Sequence, residues 1–140
     1  MSALEDLIVA EAKTWLGVPF RDKGRDRFGV DCIGVPIKVG HALGLTTYDT
    51  LDYPRRPNPA DVLRLARAQL TERPRSEADH GMVAVFREPR HPCHVGILER
   101  DAAGLMWVIH AYLPARMVVR EALTEERRLS MVSVFSFRTD

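Results

Sequence analysis

His94-Val95-Gly96-Ile97-Leu98-Glu99-Arg100-Asp101-Ala102-Ala103-Gly104-Leu105-Met106-Trp107-Val108-Ile109-His110-Ala111-Tyr112 is the stretch that decides the architecture. Two runs rich in β-branched and aromatic residues flank Asp101-Ala102-Ala103-Gly104, a set of turn formers, so they pair as an antiparallel hairpin. Further short runs of the same kind lie at Met82 to Phe86, Met117 to Val119 and Met131 to Phe137, so everything beyond Pro74 reads as antiparallel sheet.

Upstream the pattern changes to helical spacing. Leu4, Leu7, Ile8 and Trp15 predict a helix over roughly residues 3 to 16, stopped by Gly17 and Pro19. Residues 20 to 29 are charged and lack apolar periodicity, which predicts an exposed loop. Ile33, Ile37 and Leu43 predict a second helix with Asp31 as N-cap and Gly44 near its end, although Pro36 removes one backbone donor inside it. Tyr53-Pro54-Arg55-Arg56-Pro57 is a proline-rich connector. Asn58-Pro59 then supplies an N-cap and an N1 proline for a third helix ending near Thr71. Helices followed by strands predict an α+β fold, one domain over residues 1 to 140, with the helices on one face of the sheet.

Composition excludes several function classes. With 20 Lys and Arg against 19 Asp and Glu, the formal net charge of +1 provides no global field for nucleic acid or anionic lipid. No run is long enough to span a bilayer, and the first residues lack the basic and apolar regions of a signal peptide. A chain made in the cytoplasm without its own export signal, with no nucleic-acid or membrane partner, is the expectation. Only Cys32 and Cys93 are present, which excludes a disulfide-stapled scaffold, and a bridge between the two is not expected in a reducing cytosol.

Cys32 follows the expected N-cap Asp31 in the first turn of a helix, where unpaired N–H groups and the helix dipole lower a thiol's pKa. His94 is expected to open its strand at the sheet edge, within reach of that helix start, as the base that a nucleophilic thiol requires. Pairing of the two hairpin strands brings His110 beside His94, able to fix its tautomer. Each residue also has a bland reading: an inert core thiol, a surface imidazole, a satisfied core histidine. His91, Cys93 and His94 with a distant Cys32 or His80 could bind zinc, but they lack the spaced pairs typical of structural zinc sites. No cofactor is expected.

Taken in order, Trp15-Leu16-Gly17-Val18-Pro19-Phe20, Asp31-Cys32-Ile33-Gly34, Gly81, His94-Val95-Gly96-Ile97 and Ile109-His110-Ala111 resemble the NlpC-type, papain-like cysteine peptidases. The opening motif and the Tyr53-Pro54 connector are most similar to the phage-tail and gene-transfer-agent branch of that family. The resemblance implies Cys32 as nucleophile, His94 as base and His110 as the orienting residue. It also implies Asp31 as a contact for a substrate amine, and a bacterial cell-wall peptide as substrate, cut by a domain mounted with other tail proteins in a virion or tail-like particle. Phe20 stands where many relatives have a tyrosine, leaving Tyr53 as a substitute hydroxyl near the oxyanion. Met82 stands where an aspartate is common, and Pro36 lies behind the nucleophile. A catalytically silent tail module and an amidase or acyltransferase with the same thiol and base are the alternatives.

Overall fold

The computed structural model describes residues 3–55, 57–88 and 91–138, with 91 and 92 as backbone. Helix α1 (Ala3–Lys13) leads into a two-stranded ribbon of β1 (Arg25–Asp26) and β2 (Gly29–Val30), then α2 (Gly34–Ala42) and α3 (Pro59–Gln69). The remainder is sheet: β3 (Thr71–Arg73), β4 (Val83–Glu88), β5 (His91–Arg100), β6 (Met106–Tyr112), β7 (Met117–Ala122) and β8 (Met131–Ser136), with the short helix α4 (Glu125–Leu129) before β8. The strands form one antiparallel sheet in the order β3-β8-β4-β5-β6-β7. Helices on a six-stranded antiparallel sheet make the α+β architecture that the sequence predicts.

The pleat divides the sheet into two faces. Val83, Val85, Val95, Ile97, Ile109, Ala111 and Val118 pack against Ile8, Val9, Ala12, Val35, Val39 and Val62 of the helices. Ala84, Phe86, Leu98, Val108 and Val134 form a second, smaller core on the opposite face with Leu123 and Met131.

Several boundaries differ from expectation. The first helix ends at Lys13, and Trp15 is carried into the core by the turn that follows. The charged segment 20–29 is a ribbon whose ends bridge Phe20 to Val30 and Pro19 to Met117. That ribbon is imposed by tertiary contact, so apolar periodicity could not reveal it. Asn58 caps α3 as expected, its side chain accepting the Asp61 N–H at 2.9 Å. Helix α2 closes on Gly44 at φ +68°, with Gly44 N–H bonded to the His41 carbonyl and Leu45 N–H to the Gly40 carbonyl. This is the Schellman arrangement that glycine permits.

Candidate active site

The start of α2 is built around Asp31, which is buried and makes four hydrogen bonds. Its carboxylate accepts from Gly34 N–H at 2.7 Å, Lys23 N–H at 2.9 Å, Arg25 Nη1 at 3.0 Å and the Tyr53 hydroxyl at 2.6 Å. The backbone carbonyl of Asp31 also accepts Val35 N–H at 3.3 Å, so helical bonding begins at Asp31 although regular geometry starts at Gly34. Pro36, whose nitrogen would otherwise reach the Cys32 carbonyl, is thereby accommodated in the opening turns. Gly34 is required by crowding: a Cβ there would lie 2.7 Å from Val30 Cγ2 and 2.8 Å from both Arg25 Nη1 and the Gly24 carbonyl.

Tyr53 completes the cluster. Its hydroxyl donates to Asp31 and accepts Arg25 Nη2 at 2.7 Å, and burial raises its pKa, reinforced by Asp31. Its proton is therefore committed to Asp31, as is the Asp31 carboxylate to its four donors.

His94 and His110 are brought together as expected. His94 Nε2 is hydrogen-bonded to His110 Nδ1, and the rings meet edge to face with centroids 4.5 Å apart. His94 does not open its strand, because β5 begins at His91; at His94 the strand is paired with β4, while its ladder with β6 begins only at Ile97. His94 faces Phe86, its partner in register, on the side of the sheet away from the helices. His110 is fully buried, stacks on Tyr112 and places Nε2 2.8 Å from Glu121 Oε1. Glu121 was missed by sequence reasoning. On β7 it lies diagonally across from His110, and strand pairing alone could have found it.

Cys32 approaches from the helix side, packing with Cys93 and the helix-side core. Leu98 exchanges backbone bonds with Met82 and Gly81 on the β4 side. By alternation Gly96 and His94 also face β4, while Val95 and Ile97 face β6. Pairing of β5 with β6 stops at Ile97 and Ile109, whereas β6 stays paired with β7 as far as Tyr112 and β5 with β4 past His94. The β5–β6 ladder thus ends before Val95, and the Val95 amide acts on the Cys32 sulfur instead of on a ladder partner. The thiol lies beside Val95 on the helix side of the sheet, and the histidine pair lies on the opposite face. The structure does not place the sulfur in hydrogen-bond contact with His94.

Burial pushes the Cys32 thiol up to about 12, Asp31 and Cys93 adding to the rise, while the Val95 and Cys32 N–H groups pull it down. In this state Cys32 is a protonated thiol at neutral pH. Cys93 is likewise raised to about 12, by burial and then by Asp61. His110 is lowered to about 4, first by burial and against the pull of Glu121, and so is neutral.

That shift has a consequence for stability. The unfolded chain protonates this histidine near its ordinary value of 6.5, so below that pH the unfolded state binds more protons. Stability falls as pH drops from 6.5 towards 4, by on the order of 3 kcal/mol from this residue. Urea titrations at pH 7 and pH 4.5 check this, with His110→Gln expected to flatten the dependence.

Zinc finds no support in the arrangement. The His91 side chain lies outside the described residues, and among those described no three His, Cys, Asp or Glu groups converge as a metal site requires. His80, a proposed ligand, has Nε2 3.0 Å from Asp6 Oδ1, and its Nδ1 accepts Arg100 N–H. Among the described residues no helix is long and apolar enough to cross a membrane.

No family model matches the sequence, and no curated protein matches it. Solved structures do. The NlpC/p60 domain of the peptidoglycan hydrolase SagA superposes with a TM-score of 0.63 at 25% identity, over 95% of this chain and 98% of that one. An NlpC/P60 family protein from Bacillus cereus ATCC 10987 gives 0.68 at 20% identity, over 95% of this chain and 40% of that larger one. RipD from Mycobacterium tuberculosis, described as a non-catalytic NlpC/p60 domain protein adapted to peptidoglycan binding, gives 0.63 at 14% identity over the whole of both chains. The helices on an antiparallel sheet, with the cysteine at the opening of α2 and the histidine pair on β5 and β6, are thus arranged in the α+β, papain-like fold of the NlpC/p60 domains.

Proposed function

We propose that the chain is a cysteine peptidase that hydrolyses peptide stems of bacterial peptidoglycan. The observation that carries the reading is the run from buried His94 through buried His110 to the half-exposed Glu121, on a sheet whose Val95 amide meets the Cys32 sulfur. A core filled for stability alone has little reason to bury two imidazoles in series, since each costs desolvation that an apolar pair would avoid.

In the proposed cycle the His94 imidazole and the Cys32 side chain turn towards one another, and His94 takes the thiol proton. The thiolate attacks the scissile carbonyl, and the Cys32 N–H at the helix start holds the oxyanion. The C–N bond breaks, and His94 returns the proton to the leaving amine. Water, deprotonated by His94, then releases the acyl group as a carboxylate and restores the thiol. The catalytic groups are therefore Cys32 and His94, with His110 orienting the base, while Asp31 and Tyr53 hold the helix start in place.

Mounting on a phage tail or gene-transfer particle is the finer part of this reading and rests on Trp15-Leu16-Gly17-Val18-Pro19 and Tyr53-Pro54. One observation favours a second reading, a wall-binding module without turnover: the thiol is protonated and packs with the helix-side core, while the imidazole lies on the other face of the sheet. Incubation with defined muropeptides followed by mass spectrometry separates them. Cleavage products with one new amine and one new carboxylate support the peptidase, and saturable binding with no product supports the binding module.

A further inference from the structure

We propose that Glu121, held by Arg127, is the positioning residue that sets the direction of protons along the histidine pair, an inference that rests on Cys32 and His94 being nucleophile and base. The argument runs from the carboxylate inwards. A carboxylate can only accept, so the 2.8 Å contact with Glu121 Oε1 puts the His110 proton on Nε2. His110 Nδ1 is then an acceptor, and His94 must donate to it from Nε2. The lone pair of His94 is thereby on Nδ1, the nitrogen that takes the thiol proton in the proposed cycle. With the opposite polarity His110 would donate from Nδ1, His94 would carry its proton on Nδ1, and it could not act as a base there.

The support for Glu121 is itself built. Thr124 caps α4 by accepting the Arg127 N–H at 3.1 Å. Arg127 then reaches back across the Tyr112 ring to Glu88 Oε1 at 3.0 Å and to Glu121 Oε1 at 3.6 Å. Glu88 in turn accepts the Tyr112 hydroxyl at 3.2 Å, and Tyr112 stacks on His110. Among the described residues, Glu88 from β4, Tyr112 from β6, Glu121 from β7 and Arg127 from α4 thus gather about the pair. When His94 gains a second proton, its Nε2–H bond to His110 strengthens, and the Glu121 charge two rings away favours the cation.

Nitrogen-15 NMR of the imidazoles in the whole chain at neutral pH, without substrate, reads the tautomers, and the pH profile of kcat reads their effect. Wild type is expected to show Nε2–H on both residues. Glu121→Ala is expected to populate Nδ1–H on His110 and to lose kcat on the order of 10²-fold with little change in KM. Glu121→Gln, whose amide oxygen can still accept, should keep the Nε2–H form and regain most of kcat, with the acid limb moved to lower pH because the charge is gone. Arg127→Met leaves Glu121 in place but unclamped, and a several-fold loss with a minor Nδ1–H population is expected even if the alanine variant does not fold. His110 protonated on Nδ1 in wild type, or unchanged tautomers in Glu121→Ala or Arg127→Met, would overturn the proposal. Tautomers as predicted in a protein that cleaves no stem peptide would overturn the peptidase reading and leave the proton polarity standing.

Discussion

Cys32→Ser is expected to reduce cleavage of a peptidoglycan stem peptide by on the order of 10⁴-fold, while the melting temperature stays close to that of wild type. A serine hydroxyl fits the volume of the thiol and leaves Asp31 and the capped helix start intact, so packing has little reason to change. The rate falls because a hydroxyl is far harder to deprotonate than a thiol and the imidazole behind it is tuned for sulfur. Initial rates by liquid chromatography check the prediction. Wild-type activity in the serine variant would take the nucleophile away from residue 32.

Asp31→Ala carries the largest stability cost expected at any single position near the site. It removes the acceptor of four hydrogen bonds and leaves the half-buried Arg25 guanidinium with only Asp49 of its two carboxylate partners. Breaking a buried pair in this way typically costs about 3–5 kcal/mol, because the surviving charge stays desolvated. For a domain of this size that lowers the melting temperature by on the order of 10 °C, readable by calorimetry. Asp31→Asn should lose less, since its carbonyl can still cap Gly34. If Asp31 instead served mainly to bind a substrate amine, the alanine variant would raise KM at nearly unchanged stability.

Much of this arrangement was legible in the residues, for local reasons. Asn58-Pro59 announces a helix start by chemistry that needs no tertiary partner, and Asp101 to Gly104 announces a turn in the same way. The hairpin then forces His94 and His110 onto one face whatever surrounds them. Other features depend on the assembled fold. The ribbon at Arg25–Val30 has no apolar alternation, because its reason to exist is the Arg25 side chain reaching Asp31, Asp49 and Tyr53. Strand β3 is exposed along its whole length and is defined by pairing with β8 at the sheet edge. Helix α4 is five residues of charged and polar sequence, too short for a periodic signal.

The thiol shows where local inference stops. A cysteine behind an N-cap predicts an activated thiolate, but of the two N–H groups that lower its pKa one is Val95 on β5 and only its own belongs to the helix start. Burial against the sheet outweighs them, since removing water from a charge is costlier than a few backbone dipoles can offset. Only the partner strand, whose ladder with β6 ends before Val95, shows how an amide of the sheet comes to meet the sulfur.

The most direct test is the intact mass of the enzyme after mixing with a stem peptide and quenching in acid within the first turnovers. A mass gain equal to the acyl portion of the peptide, mapped to Cys32 and slow to form in His94→Ala, is the predicted result. Peptide cleavage with no adduct on Cys32 at any time, undiminished in His94→Ala, would contradict it.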